Sequence, residues 1–190
     1  MPNDRDILYS KKEYGITVTT LDFDKIIYRF VKPAPDLSRM SRISKRLAMF
    51  EDVTMVVFEV DLSLYDEVLL DLDDGQRIHT PGLHMALGEF GVMCSCIQSK
   101  DVILILDKYA LFGEKIRTQP LQAYYPDYTG GSDYAMAADY LMGLFASKIG
   151  NKNRQLYYYS VAHGNQGIAK FLGLVHEINS YDIVKKSGLL

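Results

Sequence analysis

Asp101-Val-Ile-Leu-Ile-Leu-Asp-Lys-Tyr-Ala-Leu-Phe112 is the stretch whose reading decides the fold. Five apolar residues, Val102 to Leu106, run without a polar break. That is the pattern of a strand buried on both faces, as in a parallel sheet. A polar pair, Asp107-Lys108, follows at its carboxyl end. In open α/β sheets ligands bind outside the carboxyl ends of the strands. Asp107 and Lys108 therefore stand where a ligand site is expected.

Working outward, Val53 to Val60 is a second apolar run and reads as another buried strand, and Gln155 to Ala162 as a further one. Pro81 to Ile97 predicts a helix weakened by Gly82, Gly88 and Gly91. Leu111 to Thr129 reads as a long connection containing proline and tyrosine. Ser132 or Asp133 then caps a helix reaching Ile149, with Tyr134, Ala137, Ala138, Leu141 and Phe145 on one face. A loop from His163 to Gly167 leads to a last helix. Its stripe is Ile168, Phe171, Leu172, Val175 and Ile178, and Asp182 ends it. Strands alternating with helices through this half argue for a layered α/β sheet.

Towards the amino terminus, residues 1–14 are polar and read as a lead-in segment. Gly15 to Phe23 and Lys25 to Val31 are rich in β-branched residues, and Asp24-Lys25 between them predicts a hairpin. Lys32-Pro-Ala-Pro35 forces an extended connection. Asp36 to Met49 has helical spacing, with Leu37, Met40, Ile43 and Leu47 on one side and Arg39, Arg42, Lys45 and Arg46 elsewhere. A basic set of this kind is first of all a solvated helix face. Ser63 to Arg77 reads as an acidic, solvated loop.

The chain has 190 residues, 48% hydrophobic and 24% charged, enough for one domain with a sizeable core. A net charge of -3 gives no support for nucleic-acid binding. Cys94 and Cys96, the only cysteines, read as buried free thiols of a reducing compartment, with too few ligands nearby for a metal. No run of about 20 apolar residues offers a membrane span. The first residues have neither a signal-peptide core nor the Met-Gly start of a myristoylation site.

Several motifs together resemble one family. Phe50-Glu-Asp-Val-Thr54, Asp61-Leu-Ser-Leu-Tyr-Asp66, Leu111-Phe-Gly-Glu-Lys-Ile116, Pro120-Leu121, Tyr125-Pro-Asp-Tyr-Thr-Gly130 and Ser187-Gly-Leu-Leu190 occur in order and at nearly the family's spacing. They resemble the carboxyl-terminal part of heterotrimeric G-protein alpha subunits, over about Pro2 to Leu190. The resemblance implies a single truncated Ras-like domain over residues 1–190. The fold implied is α/β and like that of P-loop NTPases: a mostly parallel sheet with helices on both faces, lacking the first strand and the phosphate loop. That missing strand would lie between those matching Lys25–Val31 and Val53–Val60, so its loss should leave two unpaired edges.

The departures from the family bear on function. Gly-x-x-x-x-Gly-Lys-Ser, whose backbone and lysine cradle phosphates, does not occur in these residues. Lys11-Lys-Glu-Tyr-Gly-Ile16 has no threonine for Mg²⁺ before Gly15. Lys32 to Arg39 stands where a water-positioning glutamine belongs. The guanine-reading motif Asn-Lys-x-Asp appears as Asp107, Lys108, Tyr109 and Ala110. By resemblance Asp107, Lys108 and Ala110 hold the nucleotide-binding positions, with Ala162 in the Ser160-Val-Ala-His163 loop. Alanine at 110 loses a charge-assisted bidentate pair worth roughly 2–3 kcal/mol of selectivity.

What the resemblance implies is a signal transducer of G-protein-coupled receptor signalling that binds partners as a pseudo-GTPase. Catalytic residues, a metal and a cofactor are not expected, although the family uses GTP, GDP and Mg²⁺. Implied partners are the beta-gamma complex, through Arg39, Arg42 and Lys45, and a receptor, through Lys185, Lys186, Leu189 and Leu190. The implied location is cytoplasmic, at the inner face of the plasma membrane through those partners. Two alternatives stay open: a working GTPase if upstream sequence belongs to the chain, and a decayed gene product without a role.

Overall fold

Val102 to Leu106 forms the expected strand, and two parallel neighbours flank it. The computed structural model describes residues 7–13, 16–33, 53–73, 76–97, 100–150, 154–160 and 166–186. The eight strands described are β1 (Ile7–Glu13), β2 (Ile16–Phe23), β3 (Ile26–Pro33), β4 (Met55–Asp61), β5 (Val68–Asp73), β6 (Gln76–Pro81), β7 (Asp101–Asp107) and β8 (Leu156–Ser160). The helices are α1 (Gly82–Cys96), α2 (Tyr109–Lys115), α3 (Tyr134–Ala146) and α4 (Gln166–Lys186). The chain divides into two compact units, Met1–Leu37 with His163–Leu190, and Ser38–Ala162.

In the larger unit β7 is the middle strand of a parallel sheet in the order β4-β7-β8. Val102, Leu104 and Leu106 alternate onto one face and Ile103 onto the other, and all four are buried. This is why the run carries no polar break. Phe58 lies opposite Leu104 in the register, so it shares the face of Leu104. Its ring meets Phe90 of α1 at 5.1 Å and Phe145 of α3 at 6.3 Å, and those two rings meet edge to face at 5.3 Å. These contacts seat α1 and α3 on the sheet. The α3 stripe is as expected at Ala137, Ala138, Leu141 and Phe145, all buried, whereas Tyr134 is exposed. Asp133 caps α3 by accepting from the N–H groups of Ala135 and Met136.

Four features of this unit differ from the sequence reading. β4 is not buried throughout, since Val60 is buried but Val57 is 39% exposed. The cause is its place as a terminal strand of its sheet. The acidic stretch after it is not a loop. Leu62–Asp66 makes a 3-10 turn with Leu62 and Tyr65 fully buried, and β5 and β6 pair antiparallel behind it. The long connection after β7 begins with α2, whose Phe112 is fully buried. Of the two thiols, Cys94 is buried and Cys96 exposed. Positions two apart on a helix point about 200° from each other, so both could not face the core.

The smaller unit is an antiparallel sheet, β1-β2-β3, with α4. The expected β2–β3 hairpin is present, and Asp24 and Lys25 both have positive φ, 52° and 63°. Two left-handed residues give the turn whose twist matches that of the strands. β1 replaces the expected lead-in segment and pairs with β2. Pairing uses backbone groups, so a polar sequence can supply an outer strand. On α4, Leu172, Val175 and Ile178 are buried as expected, but Phe171 is only half-buried, its ring 6.4 Å from that of Phe30. The Tyr28 hydroxyl and His176 Nδ1 are 3.2 Å apart. α4 continues past Asp182 to Lys186.

β3 and β4 stand at the ends of different sheets. Among the described residues neither of them has a second paired strand. The Asp36–Met49 helix falls outside the described residues. No described helix is long and apolar enough to cross a membrane.

Candidate functional site

Parallel pairing brings the carboxyl ends of β4 and β7 side by side, with Asp61 opposite Asp107 in the register. Lys108, the next residue, is left-handed, with φ 53° and ψ 33°. That backbone costs a non-glycine residue roughly 1–2 kcal/mol, and it turns the chain from β7 straight into α2. Lys108 Nζ lies 2.6 Å from Asp61 Oδ2. The other Asp61 oxygen accepts from Ser63 N at 2.9 Å and from Ser63 Oγ at 2.6 Å. Asp61 thus caps the 3-10 turn with one oxygen and holds the lysine with the other.

The electrostatics follow from this geometry. Burial alone would raise the Asp61 carboxyl, but the Lys108 ammonium and the Ser63 hydrogen bonds outweigh it and hold it below its ordinary value. Lys108 is raised in turn, chiefly by its bond to Asp61.

A second anchor supports the floor of the site. Lys115 Nζ donates to Ser63 O at 2.7 Å and pairs with Asp66 at 2.5 Å and Glu67 at 3.4 Å. It also lies 5.7 Å from the centre of the Tyr65 ring, which meets Phe112 edge to face at 5.3 Å. Two of the motifs quoted above, Asp61–Asp66 and Leu111–Ile116, are therefore one interlocked structure. Asp66 and Glu67 belong to it as ion-pair partners, not to a solvated acidic loop.

Asp107, Lys108 and Ala110 come together at this strand end. Asp107 is half-buried, and Ala110 is exposed in the first turn of α2 with no polar group to offer. Ala162 lies outside the described residues, as do Arg39, Arg42, Lys45, Leu189 and Leu190. Lys185 and Lys186 fall in the last turn of α4, and only their backbone is described. Sequence reasoning missed Asp61 and Ser63 as members of the site. The available signal was an aspartate ending an apolar run with a serine two residues on, the pattern of an Asx turn.

Comparisons with known proteins agree with these motifs. The family model described as the G-protein alpha subunit matches residues 1–179. The guanine nucleotide-binding protein subunit alpha of Colletotrichum trifolii is 32% identical over all of this chain and 53% of its own length. The guanine nucleotide-binding protein alpha-1 subunit of Neurospora crassa and the subunit alpha of Pyricularia oryzae give the same figures, 32%, the whole chain and 53%. The chain spans about half the length of these curated relatives. With interlocked motifs, a parallel sheet flanked by helices and a match across most of its length, the chain belongs to the G-protein alpha subunit family.

Proposed function

We propose that the chain is a signal transducer of the alpha-subunit kind that binds partners and does not cycle GTP. The observation that carries this reading is Ala110, exposed beside Lys108 where a guanine-reading carboxylate would be needed. A second sequence feature supports it: Lys32 to Arg39 offers no glutamine to position water. Phosphoryl transfer is almost entirely positioning and electrostatics, so the missing glutamine falls on the chemistry, and alanine at 110 falls on recognition of the base. Both lie inside the chain, so an upstream segment would not restore them. The partners proposed are a beta-gamma complex, at Arg39, Arg42 and Lys45, and a receptor, at Lys185, Lys186, Leu189 and Leu190. The proposed location is cytoplasmic, at the inner membrane face through those partners.

Calorimetry with GTP and GDP in the presence of Mg²⁺ tests the nucleotide half. No heat of binding at micromolar concentration is expected, and a guanine-selective isotherm would overturn the reading. The partner half is tested with the full chain and its Leu189→Ala/Leu190→Ala variant, in competition with an alpha subunit for receptor. The unchanged chain should compete and the variant should not. Equal competition by both would remove the tail from the mechanism.

A second reading, a working GTPase, is favoured by one observation. The relatives named for guanine nucleotide binding are about twice as long as this chain, which covers 53% of them. The same calorimetry on a chain carrying any upstream segment separates the two.

A further inference from the structure

We propose that Asp61 acts as an internal ligand of Lys108, occupying the ammonium that the strand end would otherwise offer to an anion and so shutting the site. This inference rests on the reading of a site that does not take nucleotide, and it names the residue responsible.

Three observations carry it. The first is contact: Asp61 Oδ2 sits 2.6 Å from Lys108 Nζ, a charge-assisted distance. The second is anchorage. Ser63 N and Oγ fix the other carboxylate oxygen, and Ser63 is itself buried at 3% exposure. The third is the backbone on each side. Asp61 ends one parallel strand and Lys108 follows its neighbour in register, so neither residue has a loop of its own in which to swing away. The pair is held by the sheet.

The consequence is competitive. An incoming phosphate or carboxylate must displace a carboxylate that is tethered beside the lysine. Tethered partners act at effective concentrations on the order of mM when the span fits. The lysine side chain is 44% exposed and the aspartate 22%, so the ammonium is accessible in principle and blocked by its partner rather than by burial. Asp107 adds a second negative charge next to the lysine. The alanine at position 110 and the carboxylate of Asp61 thus act in the same direction. The first offers no group that could accept from a ligand, and the second occupies the group that could donate to it.

The test uses the full chain with Asp61→Asn, which keeps an oxygen for Ser63, and Asp61→Ala as a second variant. Each is treated with a limiting amine-reactive ester at pH 8. Modification of Lys108 is followed by peptide mass spectrometry against exposed Lys25 as internal reference. Lys108 should react several-fold faster in both variants, because the carboxylate that holds its ammonium at 2.6 Å is gone. The same proteins are titrated with guanosine monophosphate and with uncharged guanosine by ligand-observed NMR. The monophosphate should bind the variants and not the unchanged chain, and guanosine should bind none of them. Unchanged Lys108 reactivity would overturn the latch. Freed Lys108 without monophosphate binding would overturn the claim that Asp61 is what shuts the site. A GTP isotherm from the unchanged chain would instead sink the proposed function, a separate result.

Discussion

A Cβ built on Gly130 would lie 2.3 Å from the hydroxyl oxygen of Tyr128 and 2.6 Å and 2.7 Å from two carbons of its ring. Tyr128 cannot retreat freely. It is buried at 3% exposure, donates to Asp133 O at 3.0 Å, and sits 5.3 Å from the Tyr140 ring. This explains why tyrosine and glycine stand two apart in Tyr125-Pro-Asp-Tyr-Thr-Gly130. Gly130→Ala should destabilise the chain by about 1–3 kcal/mol, the usual cost of overpacking. Urea denaturation reads it, and an unchanged midpoint would mean the ring is free to move.

Tyr125 is buried at 5% exposure, and its hydroxyl has no hydrogen-bond partner among the described residues. Its ring stacks on His84 at 5.1 Å, a contact that phenylalanine can keep. Tyr125→Phe should therefore stabilise the chain by about 1 kcal/mol, the lower end of the cost of an unsatisfied buried group. Burial, then neighbouring Tyr140, pushes the phenol up to about 12. A raised phenol contributes stability below its unfolded value of about 10 that is lost as pH rises above it. The variant should lose that part of the alkaline slope in thermal melts from pH 9 upward. A wild-type slope in the variant would contradict it.

The Asp61–Lys108 pair has an acid signature. A carboxyl held below its ordinary value contributes stability that is present above the unfolded pKa, about 3.9. That contribution disappears as pH falls through the folded value. Asp61→Asn should be less stable than the unchanged chain at pH 7, and the gap should begin to narrow as the pH falls below the unfolded carboxyl value of about 3.9. Chemical denaturation at a series of pH values measures the gap. A constant difference across that range would show that the carboxylate is not the source of the stability.

On α4 the stripe should respond unequally. Leu172 is 1% exposed and Phe171 only half-buried. Leu172→Ala should cost about 2–5 kcal/mol, the range for a buried leucine, and Phe171→Ala clearly less despite the larger side chain. Thermal and urea midpoints of the two variants decide the order. A reversed order would place Phe171 deeper than its exposure indicates.

Some elements were legible because one periodicity dominated their residues. Val102–Leu106 has no polar break and reads as a strand covered on both faces, and Val102, Ile103, Leu104 and Leu106 are buried. The 3.6 period placed Ala137, Leu141, Phe145, Leu172, Val175 and Ile178 on buried faces. Asp24-Lys25 between β-branched runs predicted a hairpin, and both residues are left-handed. Other elements hid their signal. β1 pairs through backbone groups that its polar side chains do not report. The charges between Val68 and Pro81 masked the alternation of β5 and β6, and α2 is too short for its period to register.

By itself the amino-acid sequence determined the family, the parallel strand run and the alanine at position 110, because these are properties of residues in order. Tertiary structure alone decided that the acid facing Lys108 is Asp61, since only parallel pairing of β4 with β7 sets those two strand ends side by side. It also decided that Lys115 joins two motifs through Ser63, Asp66 and Glu67. Charge pairs are chosen by distance in space, on the order of 3–4 Å, and spacing along the chain carries no measure of that.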